Sequence, residues 1–391
     1  MLDDKTTAVL EPPRRTVTVL EPVPVCASPN EEPLWIRRGH IPGLDGLRAV
    51  AVLMVLVTHT YQTVGFPDWP LFKLLCRQGA NGVDIFFVIS GFLITTLLAR
   101  EIDRAGQIDL KRFYLRRSLR IIPAYFALIL VVAVLHQVGY VTMRSRDWIG
   151  ALTYTTNFYY RPSWELGHSW SLAIEEHFYL LWPFVLYAGG IRWGWRVGLF
   201  WLAACALIRA GIAFGVPENL FPAGSFYHET SNCSAMAEVW TFTRLDTITM
   251  GSLLALLCRS DKGRAWLDRW TTPNRMSLFL GIFCLSLVLC RSGKYTLCAF
   301  YTVNGFCIAM LIWGMIRSEG VMRTILNNRW LKIIGLGSYS LYLWQQLFIH
   351  PHHAGWIHEF PQNVLFAMGA ACLSFWLIER PMNHFKDRVA G

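Results

Sequence analysis

An arginine and a histidine lie eleven residues apart within one apolar stretch of the chain. Arg48 is near the start of this stretch and His59 is at its end. On an α-helix, eleven residues make three turns plus about 20° and rise about 16 Å, so the two side chains would share one face at different depths. Ionisable groups inside a membrane are costly and usually face a cavity or a partner. The pair predicts a polar path with Arg48 as an anion-binding group at one end and His59 as an acid/base group at the other. The alternative is that Arg48 lies at the membrane interface and His59 only caps the helix.

The composition indicates that these residues belong to a membrane protein. The 391 residues are 54% hydrophobic and 16% charged, with a mean hydropathy of +0.35. Soluble proteins carry about 25% charged residues, so this composition argues against a soluble enzyme. We expect an all-α polytopic membrane protein of about ten transmembrane helices, because ten apolar stretches approach the length of a spanning helix. They are residues 43–61, 82–99, 121–138, 169–189, 197–215, 243–258, 276–291, 297–316, 333–350 and 363–379.

The basic residues predict the orientation of these helices. If the ten stretches cross the membrane one after another, most of the 36 lysines and arginines fall in segments on the same side of the membrane. The positive-inside rule then places both termini in the cytoplasm. We expect the protein in the cell (inner) membrane. The net charge of +10 suits loops that face anionic lipid and requires no nucleic acid. Residues 1–38 are expected to be a disordered cytoplasmic leader and residues 39–391 a single membrane domain, with nothing further after Gly391.

The cysteines give no sign of a metal site or a disulfide scaffold. Ten cysteines are scattered along the chain, mostly in apolar stretches, without C-x-x-C or a His/Cys ligand spacing. Cys76 and Cys233 both fall in predicted outside loops, where an oxidising compartment would allow them to pair. We therefore predict no bound metal.

A second group of cations precedes the third apolar stretch. Arg117 and Arg120 are three residues apart and would be neighbours on one helix face. Arginine makes bidentate contacts with phosphate, so these two side chains and Arg48 at the same depth would suit a polyphosphate group. Positive-inside topology alone explains the basic residues here, but not the position of Arg120 inside an apolar run just before Pro123.

Acidic residues within two other stretches are candidates for proton transfer. Asp84 opens the second stretch, which enters from outside, so we expect it near the depth of His59. There it would orient the imidazole and raise its basicity, or else it would interact favourably with the helix N-terminus. Glu175 and Glu176 are adjacent in the fourth stretch and point about 100° apart, so one of them is expected to line the cavity.

These residues form part of a motif series that resembles the acyltransferase family 3 membrane O-acyltransferases. The series runs in order from about residue 40 to 385. It consists of Gly43-Leu-Asp-Gly-Leu-Arg48 with His59, Gly82-Val-Asp-Ile-Phe-Phe-Val-Ile-Ser-Gly91, Arg117-x-x-Arg120-Ile-x-Pro123, Trp170-Ser-Leu-x-x-Glu175, Tyr339-Ser-Leu-Tyr342-Leu-Trp344 and Glu379-Arg-Pro381. The resemblance implies a ten-helix membrane enzyme that moves an acyl group from cytoplasmic acyl-coenzyme A to a hydroxyl, commonly on a surface polysaccharide.

The resemblance also implies roles for individual residues. His59 matches the family's essential histidine, Arg48 its partner, and Arg117 and Arg120 the paired arginines of the third helix. Gln345 departs from the pattern, because many members have histidine after the ninth-helix tryptophan. This departure puts a catalytic role for position 345 in doubt.

The residues and the resemblance together predict a reaction. Coenzyme A would seat its phosphates on Arg48, Arg117 and Arg120, and its pantetheine arm is of the same order as the distance to His59. His59 would act as general base on an acceptor hydroxyl that arrives from outside, and the hydroxyl would attack the thioester directly. Acyl-coenzyme A, commonly acetyl-coenzyme A, is then a co-substrate, and no permanently bound cofactor is expected.

Three alternatives remain open at this point. The acceptor is expected to be a surface glycan such as lipopolysaccharide or exopolysaccharide, but a small hydrophobic acceptor such as a macrolide fits the same residues. An acyl-histidine intermediate would also fit. A protein of another class, a proton-coupled transporter, could use His59, Asp84 and Glu175 as a proton relay.

Overall fold

The computed structural model describes residues 41–159, 161–215, 236–290, 293–317, 320–351, 353 and 355–389. The secondary structure of these residues is helical throughout, which confirms the predicted all-α class. From Ile41 onward, the described residues form one compact unit. The expected leader, residues 1–38, and Cys233 lie outside the described residues.

The helices are numbered here in chain order. They are α1 Leu44–Thr60, α2 Pro70–Arg77, α3 Gly82–Ala105, α4 Leu110–Gln137, α5 Ser145–Leu152, α6 Trp164–Gly167, α7 Ser169–Ala213, α8 Thr241–Leu257, α9 Asp261–Trp270, α10 Pro273–Leu289, α11 Gly293–Tyr295, α12 Tyr301–Arg317, α13 Val321–Leu326, α14 Arg329–Leu336, α15 Ser338–Phe348, α16 Gln362–Ser374 and α17 Arg380–Val389. A 3₁₀ turn, Gln78–Asn81, leads into α3. The π-helical turns Thr296–Phe300 and Phe375–Glu379 join α11 to α12 and α16 to α17.

Five helical segments in the described residues are long and apolar enough to cross a membrane. Helices α9 and α10 are bent by 74° relative to each other and make a sixth such segment if the pair is one span. The five are Gln78–Ala105, Leu110–Gln137, Trp164–Ala213, Gly293–Arg317 and Gln362–Val389. The third covers the predicted stretch 169–189 and all but the last two residues of 197–215, with a kink between them at Gly190. Helices α1 and α8 have 17 residues and α15 has 11, short of the roughly 20 that span a bilayer. The number ten and the side of each terminus stay predictions.

Apolar side chains cover the outer surface of the bundle. Leu130 of α4, Leu207 of α7 and Leu377 after α16 expose 65%, 72% and 71% of their surface. A soluble protein rarely exposes large apolar patches, whereas lipid is a suitable neighbour for them. The described helices are therefore those of a membrane protein.

Helix α8 is central and packs closely against α3 and α7. Two glycines allow the contact with α3. A side chain at Gly251 would meet the carbonyl oxygen of Val88, and one at Gly91 would meet that of Ile248. Small residues at such contacts let membrane helices approach each other.

Two buried ion pairs fix α8 relative to its neighbours. Arg209 of α7 donates from Nη2 to Asp246 Oδ2 at 2.6 Å, and both side chains are fully buried. Arg244 pairs with Asp84 of α3, and its guanidinium carbon lies 3.7 Å from the ring centroid of Tyr301. Since a buried charge without its partner is strongly destabilising, these pairs hold α3, α7 and α8 in register.

Candidate active site

Helix α1 carries the arginine and histidine of the predicted pair. It runs from Leu44 to Thr60 and begins after Gly43, whose φ of 81° suits glycine. From Leu47 to Thr60 the sequence has neither proline nor glycine, so nothing interrupts the helix between Arg48 and His59. Their separation along the axis is therefore about 16 Å.

His59 is surrounded by groups from α6 and α15. Its Nε2 lies 3.4 Å from Nε2 of Gln346, and Gln345 neighbours it as well. The ring packs edge-on against Trp164, with the centroids 5.5 Å apart. Its Nδ1 is buried and has no hydrogen-bond partner among the described residues. Because an amide nitrogen donates, Nε2 of neutral His59 is the acceptor in this contact. The contact is long, so an incoming hydroxyl could replace the Gln346 amide as the donor to Nε2.

Gln346 links His59 to a second histidine that sequence reasoning missed. Gln346 Oε1 accepts a hydrogen bond from the backbone N–H of His168 at 3.2 Å and lies 2.7 Å from its Nδ1. His168 is buried at the start of α7. Two adjacent glutamines, Gln345 and Gln346, inside an apolar stretch were the available signal in the sequence. The contact of Gln346 with His168, 178 positions away, could not be predicted from it.

The expected contact between Asp84 and His59 is corrected by the structure. Asp84 pairs with Arg244 instead. Gly82, two residues earlier, packs against the carbonyl oxygen of Ala51, which lies eight residues, or about 12 Å, before His59. The physical reason is that the helical segment already begins at Gln78, so Asp84 lies deeper in the bundle than the apolar stretch suggested.

The three predicted arginines lie together toward the other end of α1. Arg48, Arg117 and Arg120 are within electrostatic range of one another. The guanidinium carbon of Arg117 lies 3.6 Å from the ring centroid of Tyr179. In the described part of the chain, neither Arg48 nor Arg120 forms an ion pair within 4.0 Å, and Arg120 is exposed. Two guanidinium groups are therefore available to an anion.

Glu175 and Glu176 both approach Arg117. The Nη2 of Arg117 lies 3.8 Å from Glu175 Oε2, and its Nε lies 4.0 Å from Glu176 Oε1. Glu175 also accepts hydrogen bonds from Ser90 Oγ at 3.0 Å and from Tyr179 OH at 3.2 Å. These contacts place Glu175 with the arginines, where it orients Arg117.

Hydroxyl groups occupy the level between the two ends. Glu175 is seven residues, or about 10 Å, beyond His168 along α7. Between them Ser171 Oγ lies 2.6 Å from Tyr342 OH, which donates to the carbonyl oxygen of His168 at 3.0 Å. A series of polar groups thus leads from the surroundings of His59 toward the arginines.

A third carboxylate faces the arginines from the C-terminal part of the chain. Glu379 accepts a hydrogen bond from Ser340 and is within electrostatic range of Arg48 and Arg120. Glu175 and Glu176 approach the same cluster, and Asp45 is within electrostatic range of Arg48, so carboxylates offset the positive charge of the three arginines. The cluster can therefore be held in a membrane before an anion binds.

Comparison with known proteins identifies the family of the chain. A family described as an acyltransferase domain matches residues 41–380. Over 369 residues, 88% of this chain, the sequence is 30% identical to "Putative O-acetyltransferase SACOL0978" of Staphylococcus aureus strain COL. It is 28% identical over 366 residues, again 88% of the chain, to the O-acetyltransferase OatA of Staphylococcus aureus strain NCTC 8325. No solved structure gives a significant match.

The match covers this chain more fully than it covers the relatives. The aligned part corresponds to 57% of the length of each of these two relatives. The family match, by contrast, spans nearly all the described residues and includes Arg48, His59, Arg117 and Arg120. The chain therefore belongs to the acyltransferase 3 family.

Proposed function

We propose that this protein is a membrane O-acyltransferase that transfers an acyl group, commonly acetyl, from acyl-coenzyme A to a hydroxyl. The observation that carries the proposal is the position of Arg48 and His59 on one helix, with Arg117 and Arg120 beside Arg48. The relatives named O-acetyltransferases support the same reaction type.

The arginine cluster is the proposed donor site. The phosphates of coenzyme A would bind Arg48 and Arg120, which have no ion pair of their own in the described residues, and Arg117 would add a third guanidinium group. The pantetheine arm would then extend along α1 toward His59. Since that distance is about 16 Å, binding and chemistry take place at different ends of one rigid element.

His59 is the proposed general base. Its Nε2 would take the proton from the acceptor hydroxyl as the hydroxyl oxygen attacks the thioester carbonyl carbon. Collapse of the tetrahedral adduct breaks the carbon–sulfur bond, and the coenzyme A thiolate leaves with the proton that His59 received. The products are an ester and free coenzyme A, and no covalent enzyme intermediate is required.

The proposed acceptor is a hydroxyl of a surface glycan. In the orientation that the basic residues predict, the His59 end of α1 faces outside and the arginine cluster faces the cytoplasm, where acyl-coenzyme A is made. The acyl group thus crosses the inner membrane within the protein. Glycan precursors displayed on that side present many hydroxyls to such a site.

The test uses inside-out membrane vesicles that contain the protein, because their outer surface presents the cytoplasmic side. Acetyl-coenzyme A labelled in its acetyl group is added, and alkali-labile label is measured in the polymer and organic-solvent fractions. We expect label in the polymer fraction with the wild type and none with His59→Ala. Label only in the organic extract would favour a small hydrophobic acceptor, and no transfer to either fraction would contradict the proposed function.

A further inference from the structure

A carboxylate and two histidines meet outside the proposed active site. Glu165 lies in α6, and His350 and His353 follow α15. One possible ligand atom from each residue lies within 4.8 Å of the other two. His350 Nε2 is 3.7 Å from Glu165 Oε1, and the His350 and His353 ring centroids are 4.2 Å apart. We propose that these three residues bind a divalent transition-metal ion, with Zn²⁺ as the best fit.

The donor set matches the chemistry of zinc. Two imidazole nitrogens and one carboxylate oxygen are ligands that Zn²⁺ accepts, and three protein ligands leave a fourth position for water. In a tetrahedral site with bonds of about 2.0 Å, ligand atoms are about 3.3 Å apart, so these side chains need to close by about 1.5 Å. Rotation of the side chains can supply that movement. The side chains of Glu165 and His350 are 7% and 11% exposed, so the ligands are largely shielded from water.

Hydrogen bonds hold the backbone of this site in place. Trp164 Nε1 donates to the carbonyl oxygen of Ile349 at 2.9 Å and so joins α6 to the segment after α15. The backbone N–H of His353 donates to His350 Nδ1 at 3.2 Å, a bond that must open when Nε2 binds a metal, because Nδ1 then carries the ring proton. A nearby third histidine, His358, is engaged elsewhere, since its Nε2 lies 2.7 Å from Tyr140 OH. Among the described residues, the proposed site therefore has three protein ligands.

The site is separated from the proposed base by one aromatic ring. The Trp164 ring lies 5.5 Å from the His59 ring and 5.6 Å from the His350 ring, measured between centroids. A metal ion bound by Glu165 and His350 would fasten α6 to the segment after α15, and with it the tryptophan that packs on His59. The expected effect is stabilisation, and it does not depend on the proposed acyl transfer.

The first test is zinc binding by the purified full-length protein, with any affinity tag removed and metal stripped by a chelator. Competition with a zinc-sensitive dye should show one bound Zn²⁺. Glu165→Gln, His350→Ala and His353→Ala should each weaken binding by at least about tenfold and abolish the rise in melting temperature caused by Zn²⁺. His384→Ala, at an exposed histidine in α17, is the matched control and should bind as the wild type does. Equal binding by the wild type and the site variants would overturn the proposal.

A second measurement keeps the test decisive if a variant does not fold. Zinc K-edge X-ray absorption of the wild type should show nitrogen and oxygen neighbours at about 2.0 Å, with the outer-shell scattering of two imidazoles. Sulfur neighbours at about 2.3 Å would assign the bound zinc to cysteines and overturn the proposal. Absence of stoichiometric zinc in the wild type would overturn it as well.

Discussion

Gln346 is the residue that connects the proposed base to the rest of the bundle. It contacts His59 Nε2 at 3.4 Å through its amide nitrogen and His168 Nδ1 at 2.7 Å through its amide oxygen. His59 therefore has an amide neighbour in place of the carboxylate that the sequence suggested. An amide can fix the tautomer of the ring without adding a charge inside the membrane.

Replacing this glutamine should slow the chemical step. We expect Gln346→Leu to lower kcat by about 10- to 100-fold, the range for a misplaced catalytic group, and to leave acetyl-coenzyme A affinity unchanged. The pH dependence of kcat should also shift, because the variant removes a hydrogen-bonding neighbour of His59. Steady-state kinetics across pH provide the measurement. Gln137→Leu, at an exposed position near the end of α4, is the control, and an equal loss there would remove Gln346 from the positioning role.

Glu175 was predicted as a catalytic residue, and its contacts support a different experiment. Since it touches Arg117, Ser90 and Tyr179, Glu175→Gln should raise the acetyl-coenzyme A Kd about fivefold, or about 1 kcal/mol, with kcat little changed. Binding and turnover measured on the same preparation separate the two effects. A fall in kcat at constant Kd would instead place Glu175 in the chemistry. Glu176→Gln, at the longer contact with Arg117, should have a smaller effect.

At the residue scale, helix periodicity explains what could be predicted. Arg48 and His59 lie on one helix, so their separation follows from the sequence alone, and Arg117 and Arg120 are neighbours for the same reason. Gln346, His168 and their meeting with His59 depend on contacts between distant segments. Neither the spacing of residues along the chain nor hydrophobic periodicity predicts such contacts.

At the scale of elements, the contact between α3 and α8 sets the position of Asp84 and Arg244. Gly251 lies against the carbonyl oxygen of Val88, so a methyl group there would push the two helices apart. We expect Gly251→Ala to destabilise the protein by about 2 kcal/mol or more, because overpacking a close contact costs that order of free energy. Thermal unfolding in detergent measures the change.

A second glycine provides the matched control for that substitution. Gly281 lies in α10 with open space around the position of an added side chain. Gly281→Ala should leave the melting temperature unchanged or raise it slightly, since alanine favours the helix by about 0.8 kcal/mol. Equal effects of the two substitutions would show that the α3–α8 contact tolerates a side chain.

The sequence predicted the elements better than it predicted their lengths. Apolar runs indicate buried or lipid-facing helices, and the all-α class follows from them. The predicted stretches 169–189 and 197–215 correspond to the two helical halves of α7, which meet at a kink at Gly190, where the backbone is not helical. The π-helical turns at Thr296–Phe300 and Phe375–Glu379 coincide with parts of the predicted stretches 297–316 and 363–379, but the π-helical geometry itself was not predicted. Such details depend on packing between helices.

At the scale of the whole molecule, one ion pair relates two loops predicted to be cytoplasmic. Arg259, after α8, forms a bidentate ion pair with Asp103 near the end of α3. Its Nη1 donates to Asp103 Oδ2 at 2.6 Å and its Nη2 donates to Oδ1 at 2.5 Å. The ends of α3 and α8 therefore lie on the same side of the bundle, as the distribution of basic residues requires.

Single-cysteine labelling tests that orientation. In a background without the native cysteines, Gln107→Cys and Ser145→Cys introduce exposed thiols before and after α4. We expect a membrane-impermeant reagent added to intact cells, whose outer barrier has been permeabilised, to label position 145. Position 107 should react only after the inner membrane is opened. The reverse pattern would place His59 near the cytoplasm and contradict the proposed route of the acyl group.

The central claim is that donor binding and chemistry occupy opposite ends of α1. Its most direct test measures acetyl-coenzyme A affinity and acyl transfer side by side in Arg48→Ala and His59→Ala. We expect Arg48→Ala to weaken affinity by about tenfold or more, the loss expected for a charged phosphate contact. His59→Ala should keep the wild-type affinity and lose transfer. Unchanged affinity in Arg48→Ala, or transfer by His59→Ala above about a tenth of the wild-type rate, would contradict it.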